Sequence, residues 1–186
     1  MIRSSLLALA ALGVCAAPMT AAAASADPAL NAFQSICVTH ANNYSDVLTA
    51  AAADGWTDTQ LIPTTDDGVS ITSKAAKEKT VGTTHLTLLV STGLRHTKTG
   101  DIPEGDCKVS TDSADPTIVD GAKSWLGFAP DSGDATLAVF YVKTGAQPTH
   151  IPPAGLNAAL AAGGFSVIKA QQDQSSAILV YTSYSK

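Results

Sequence analysis

Aromatic side chains are scarce in this chain, at 5% of its 186 residues. So few rings leave little material for stacking sugars or flat apolar ligands. Cysteine is scarcer still, at three. Basic charge falls short of acidic: 11 Lys and Arg stand against 16 Asp and Glu, a net charge of -5. A mildly acidic chain lacks the positive footprint that nucleic acid or anionic lipid requires, so no nucleic-acid partner is expected. Beyond residue 26 no apolar run is long enough to cross a bilayer as a helix, so no transmembrane segment is expected in the mature chain.

The catalytic signatures are missing as well. There is no G-x-S-x-G turn to present a hydrolase serine. There is no H-E-x-x-H zinc helix and no G-x-x-x-x-G-K-[ST] phosphate loop. C-x-x-C-H, which attaches haem, is absent, and no C-x-x-C pair suggests redox work. Lys98-Thr99-Gly100 and Lys143-Thr144-Gly145 match the K-T-G triplet of penicillin-binding enzymes, but those enzymes need a much longer chain than 186 residues. The triplets read as strand-to-turn exits. No catalytic residue, cofactor-binding residue, cofactor or metal ligand is therefore assigned.

What is present begins at the N-terminus. Arg3 supplies a positive charge, Leu6 to Ala17 is apolar, and Ala24-Ser25-Ala26 closes the segment in small residues. This is the pattern of a secretory signal peptide, cleaved after residue 26, and it sets a periplasmic or secreted location. A lipid-attachment reading centred on Cys15 is disfavoured, because branched Val14 stands where a small residue is needed. Cys15 leaves with the signal, so Cys37 and Cys107 are the only pair that remains to form a disulfide. The rival use of Cys37 is metal binding with His40, joined by His85 or His96, and no second close ligand pair supports it.

The 160 residues from Asp27 to Lys186 have the length of one domain. Asp27-Pro28 opens a helix, with Leu30, Phe33, Ile36 and Cys37 on one face. Asn43 caps a second helix, buried through Val47, Leu48, Ala51 and Ala52, stopped by Gly55 and covered by Trp56. Leu61 to Lys79 reads as mostly irregular, with a short strand near Val69 and a solvated charged stretch over Lys74 to Lys79. Thr83 to Leu94 alternates as a strand, and Asp106 to Thr111 is its partner across a long connection.

Asp115-Pro116 repeats the Asp-Pro device and opens a third helix, striped by Ile118, Val119, Ala122, Trp125 and Leu126. Ala135 to Lys143 is a strand apolar on both sides, read as at least partly covered on both faces. A fourth helix turns Leu156, Ala159 and Leu160 inward. Phe165 to Ala170 and Ala177 to Tyr184 form a closing hairpin. The whole reads as a single α+β domain over residues 27–186, an antiparallel sheet with helices mainly on one face.

The four histidines, His40, His85, His96 and His150, are scattered and read as solvent-facing or locally hydrogen-bonded. Asp66, Asp67, Asp101, Glu104 and Asp106 lack the register of a calcium loop and read as solvated charge. Trp56 and Trp125 read as packing residues. Phe33-x-x-x-Cys37, the helix ending Ala51-Ala52-Ala53-Asp54-Gly55-Trp56, and the later strand cysteine Cys107 resemble small secreted Gram-negative bacterial proteins of unknown function. The resemblance implies a periplasmic setting and a helix-to-strand disulfide, and it implies no activity.

Two functional classes follow. One is a non-catalytic domain that binds a protein or envelope component. The other is a small hydrolase or transferase whose site is assembled in space from distant polar residues, which spacing cannot reveal. The cleavage pattern makes a checkable statement: intact mass of the exported protein corresponds to a chain starting at Asp27. A retained Met1, or lipid on Cys15, refutes it.

Overall fold

The computed structural model describes residues 27–40, 43–61 and 68–185, so the signal segment, Cys15, Asp66 and Asp67 lie outside the described residues. The chain enters through helix α1 (Pro28–Ala32). The Asp27 carboxylate accepts from the N–H groups of Ala29 at 2.7 Å and Leu30 at 3.1 Å, as an Asp-Pro start allows. From Phe33 to Val38 the helix widens into a π-helical turn. Thr39 N–H then reaches back five residues to the Gln34 carbonyl at 3.1 Å. The wider turn brings Ile36, Cys37 and Val38, three consecutive residues, into the core together. An α-helix would have rotated Val38 away.

Helix α2 (Tyr44–Ala53) is capped by Asn43, whose side chain accepts from Ser45 and Asp46 N–H. Gly55 ends it at φ 82, and Trp56 N–H closes onto the Ala51 carbonyl at 3.0 Å. Val47 and Ala51 are buried as the stripe requires, Leu48 is half-buried, and Ala52 is exposed instead.

Among the described residues the sheet has nine strands: β1 (Thr57–Asp58), β2 (Val69–Val81), β3 (Thr84–Thr97), β4 (Gly100–Thr111), β5 (Ser132–Gly133), β6 (Leu137–Lys143), β7 (Thr149–His150), β8 (Phe165–Gln172) and β9 (Ala177–Tyr184). Its order is β1-β2-β3-β4-β9-β8-β6-β5, with β7 alongside β6, and every pairing is antiparallel. The chain therefore builds two sequential halves. They join along one seam, where Glu104–Thr111 of β4 pairs with Ala177–Tyr184 of β9.

Helix α3 (Ile118–Leu126) connects the halves and stops at Gly127, φ 73. A short 3-10 turn at Pro153–Gly155 leads into helix α4 (Leu156–Ala162).

One sheet face is sealed. Leu86, Leu88, Val90, Cys107, Val109, Ala138, Phe140, Val142, Ile168, Ala170, Leu179 and Tyr181 form one buried cluster with Leu30, Phe33, Val47, Ile118 and Val119 of the helices. This is the expected α+β architecture. Cys37 and Cys107 are bonded, with 5.4 Å between their Cα atoms, which ties the π-helical turn to the seam strand β4. Phe33 meets Trp125 edge to face at 6.2 Å, and Trp56 is buried, so both tryptophans serve packing.

Three further expectations change. Residues 69–81 are not irregular but a 13-residue strand. Its charge belongs to an edge paired only briefly with β1, and such edges carry lysine to deter pairing with other chains. Lys77 reaches Asp58 at 2.6 Å and Lys79 reaches Asp54 at 2.9 Å across that edge. A bulge between Ile71 and Ser73 breaks the alternation that would have betrayed the strand. The connection from β3 to β4 is not long: Thr97 pairs with Gly100, leaving only Lys98 and Thr99 between. Pro103 lies inside β4, beyond the last β9 partner of that strand, where a missing N–H costs no ladder bond to β9.

On β6 the expected partial cover of both faces holds: Ala138, Phe140 and Val142 are sealed, and Leu137, Val139 and Tyr141 are half-buried. Finally, α4 buries no residue, and Leu160 is 38% exposed rather than inward. Seven residues are too few to lay a full stripe on the sheet.

Replacing Cys37 and Cys107 together by serine lowers unfolding stability by about 2–4 kcal/mol in oxidising buffer. Phe140→Ala costs about 3–5 kcal/mol, whereas Leu160→Ala costs under about 1 kcal/mol. Urea unfolding measures all three, and a Leu160 loss as large as that of Phe140 contradicts this packing.

Candidate functional site

Where α2 meets the ends of β3, β4 and β9, the sealed face opens into a cleft of about 300 Å³. Asn43, Tyr44 and Val47 form its helical wall, and Thr72, Thr92, Pro103 and Ser183 line the strand side. The disulfide half-residue Cys107 lies at its inner end. The side-chain groups are neutral hydroxyls, an amide and small apolar surfaces. Gly105 keeps the floor open: a Cβ there would stand 3.1 Å from Ser183 Oγ. Gly93 is required by close approach, because a Cβ would fall 2.5 Å from the Ser70 carbonyl oxygen.

One row further along the same strands stand three polar residues that no local motif connects. Ser70 pairs with Leu94, and His96 pairs with Asp101, in the β2-β3-β4 register. Ser70 Oγ is 2.7 Å from His96 Nε2. His96 Nδ1 is 2.8 Å from Asp101 Oδ1. A carboxylate only accepts, so Nδ1 carries the proton and donates to Asp101. Nε2 is then the acceptor for the Ser70 hydroxyl. His96 N–H also bonds the Gly68 carbonyl at 2.9 Å, which fixes the start of β2 beside the ring. His96 and Asp101 side chains are each 52% exposed.

The residues between these turn to the other sheet face. Arg95 holds the Glu104 carboxylate through both Nε and Nη2, the latter at 2.8 Å, and the Glu104 side chain is 2% exposed. Thr182 Oγ1 donates to Asp106 at 2.6 Å. Burial raises the Asp106 pKa to about 6, and the neighbouring Glu104 charge adds to the rise. Burial, with Glu104 beside it, pushes Tyr184 up to about 12. Phe165 stacks on Tyr184 at 5.4 Å and meets Tyr141 at 5.8 Å, so this face carries a short aromatic strip.

The remaining candidates go separate ways. His150 Nε2 lies 3.0 Å from Asp131 Oδ1 and its ring lies on Phe128 at 4.9 Å. Asp131 also accepts from Tyr141 N–H at 2.8 Å, so this pair ties β6, β7 and the preceding turn together. His85 stands between Glu78 and Asp112, at 3.7 and 3.9 Å. His40 borders a small surface hollow with Asp46 and Gly145. The sulfur of Cys37 is spent in the disulfide, which leaves no thiolate for a metal or for nucleophilic chemistry. Asp101 projects to one sheet face, while Glu104 and Asp106 project to the other, so these carboxylates do not converge. Among the described residues no group of three His, Cys, Asp or Glu side chains is arranged to hold a metal ion.

The sequence reading named His96 and Asp101 separately and did not name Ser70. The three are brought together only by strand register, across separations of 26 and 5 residues. The one signal available was the placement of His96 and Asp101 at the two ends of a tight hairpin, which reading that hairpin as a long loop concealed. The chain matches no protein-family model, no curated protein and no solved structure.

The Asp106 carboxyl gives a pH-dependent test. Its native pKa of about 6 exceeds the ordinary 3.8, so between those values the folded state binds the proton that the unfolded chain releases. Its contribution to stability is therefore fully present below about pH 4 and is lost as pH rises through 6. Asp106→Asn removes that loss. The variant gains about 1–3 kcal/mol over wild type at pH 7 and much less at pH 4. Urea unfolding at the two pH values checks it, and an equal difference at both disproves the assignment.

Proposed function

We propose that the protein is an exported binding domain that holds an uncharged, hydrogen-bonding segment of an envelope component in the cleft beside α2. The cleft itself carries this reading. It is open, it is floored by a cross-linked part of the sheet, and the side chains of Asn43, Tyr44, Thr72, Thr92 and Ser183 offer neutral donors and acceptors in a small space. Glu104 and Asp106 border it in the chain but turn their carboxyls to the opposite face, where Arg95 and Thr182 hold them. A neutral ligand therefore meets no unpaired buried charge on that floor. The signal pattern and the disulfide agree with an oxidising compartment as the place of work.

The reading is tested by site-specific photocrosslinking in the producing cell. Benzoylphenylalanine replacing Thr92 gives a discrete adduct, and the same group replacing exposed Asp120 of α3 gives none. Adducts absent at position 92, or identical at both positions, refute the cleft as the binding site.

A further inference from the structure

We infer that Ser70 is an activated nucleophile, with His96 its base and Asp101 the group that orients the base, and that the protein hydrolyses an ester borne by the ligand in the cleft. The substrate part of this inference rests on the proposed binding reading; the nucleophile does not. A nucleophile within hydrogen-bond reach of a base, itself oriented by a third group, defines such a relay by geometry rather than by sequence position. Here the two contacts are 2.7 and 2.8 Å and lie in sequence on one sheet face. The contrast with His150 is informative. It holds a more buried carboxylate, Asp131, but among the described residues no hydroxyl meets its ring, which instead lies on Phe128.

Placement supports the chemistry. Ser70 precedes Thr72 by two residues and Asp101 precedes Pro103 by two, and both Thr72 and Pro103 line the cleft. The relay thus stands about 7 Å along the strands from the cleft wall. Leu94, paired with Ser70, is 40% exposed and offers an apolar contact beside the hydroxyl. The half-exposed ring admits an acyl group carried on a large molecule, which an enclosed pocket would refuse.

The step balances without any co-reactant except water. Ser70 Oγ attacks the acyl carbon while its proton passes to His96 Nε2, and Asp101 steadies the imidazolium through Nδ1–H. The carbon–oxygen bond to the leaving alcohol breaks, and His96 returns the proton to that oxygen. Water then attacks the acyl-serine, giving a proton to His96; the bond from the acyl carbon to Ser70 Oγ breaks, His96 returns the proton to Oγ, and the acid leaves.

The test uses the mature protein, a fluorophosphonate probe and p-nitrophenyl acetate. Peptide mapping finds the phosphonyl adduct on Ser70, and S70A loses both the adduct and the ester hydrolysis above background. H96A and D101N slow labelling at least tenfold with unchanged melting temperature, since general-base assistance contributes about 10²–10⁴ in rate. A surface hydrogen-bond role alone leaves labelling untouched in D101N. Absence of an adduct on Ser70 in the folded protein, or wild-type labelling in H96A, overturns the inference. The probe needs no cleft, so the two readings fail separately. Ser70 labelling without a Thr92 crosslink sinks the binding site and keeps the nucleophile, and the reverse keeps the binding site alone.

Discussion

The fold depends on how one short helix is fastened across one strand seam. The two halves of the sheet share only the β4–β9 pairing, and the π-helical turn of Phe33–Val38 lies over it. Cys107 is paired with Tyr181 in that seam, and Cys37 reaches it from above. Because the turn widens there, Ile36 and Val38 pack on either side of the bonded cysteine instead of one of them facing water. Around this point Phe33, Leu30 and Trp125 pack α1 against α3, so the helix layer is held by the same anchor that holds the sheet. The cleft beside α2 then has a fixed inner end, since Cys107 contributes to it.

A second constraint couples the two helix starts. The Asp27 and Asp115 carboxyls, each preceding a proline, lie near enough to alter one another's proton affinity. Burial and the neighbouring Asp115 raise Asp27 to about 6, while Asp27 and the N–H and hydroxyl of Thr117 hold Asp115 below the ordinary carboxylate range. The repeated Asp-Pro dipeptide, which reads as two equivalent helix starts, serves two uses: Asp27 caps α1, whereas Asp115 holds the N–H and hydroxyl of Thr117, the residue before α3. Asp27 and Asp106 are thus two carboxyls whose proton affinity burial raises.

Much of the architecture is legible in the residues, and the exceptions have physical causes. Leu86, Leu88 and Val90 alternate against polar neighbours, so β3 is plain; Ile118, Val119 and Ala122 repeat at helical spacing, so α3 is too. The disulfide follows from counting. β2 is hidden because its core-facing positions include Lys77 and Lys79, whose ammonium groups are satisfied by Asp58 of β1 and by Asp54, which ends α2. Those partners are about 20 residues away, and no local pattern announces them. α4 misleads in the other direction: Leu160 has the right spacing but too short a helix to reach the sheet. The Ser70–His96–Asp101 relay is illegible for a related reason. Its members are exposed residues of unremarkable types, and only the antiparallel register, with the bulge after Ile71 included, brings them side by side.

The disulfide also decides how the molecule would answer to pulling. Tension applied between the two ends of the domain travels along the helix to Cys37, crosses the sulfurs to Cys107, and leaves along β4. The chain between them, a separation of 70 residues that includes α2 and strands β1 to β3, is off that path. It acts as a shielded loop whose hidden contour, about 240 Å when fully extended, is not paid out until the bond is reduced. The oxidised domain is therefore short and stiff under load. Reduction turns the same sequence into a much longer tether, with the α2 wall of the cleft and the Ser70 hydroxyl both within the released stretch.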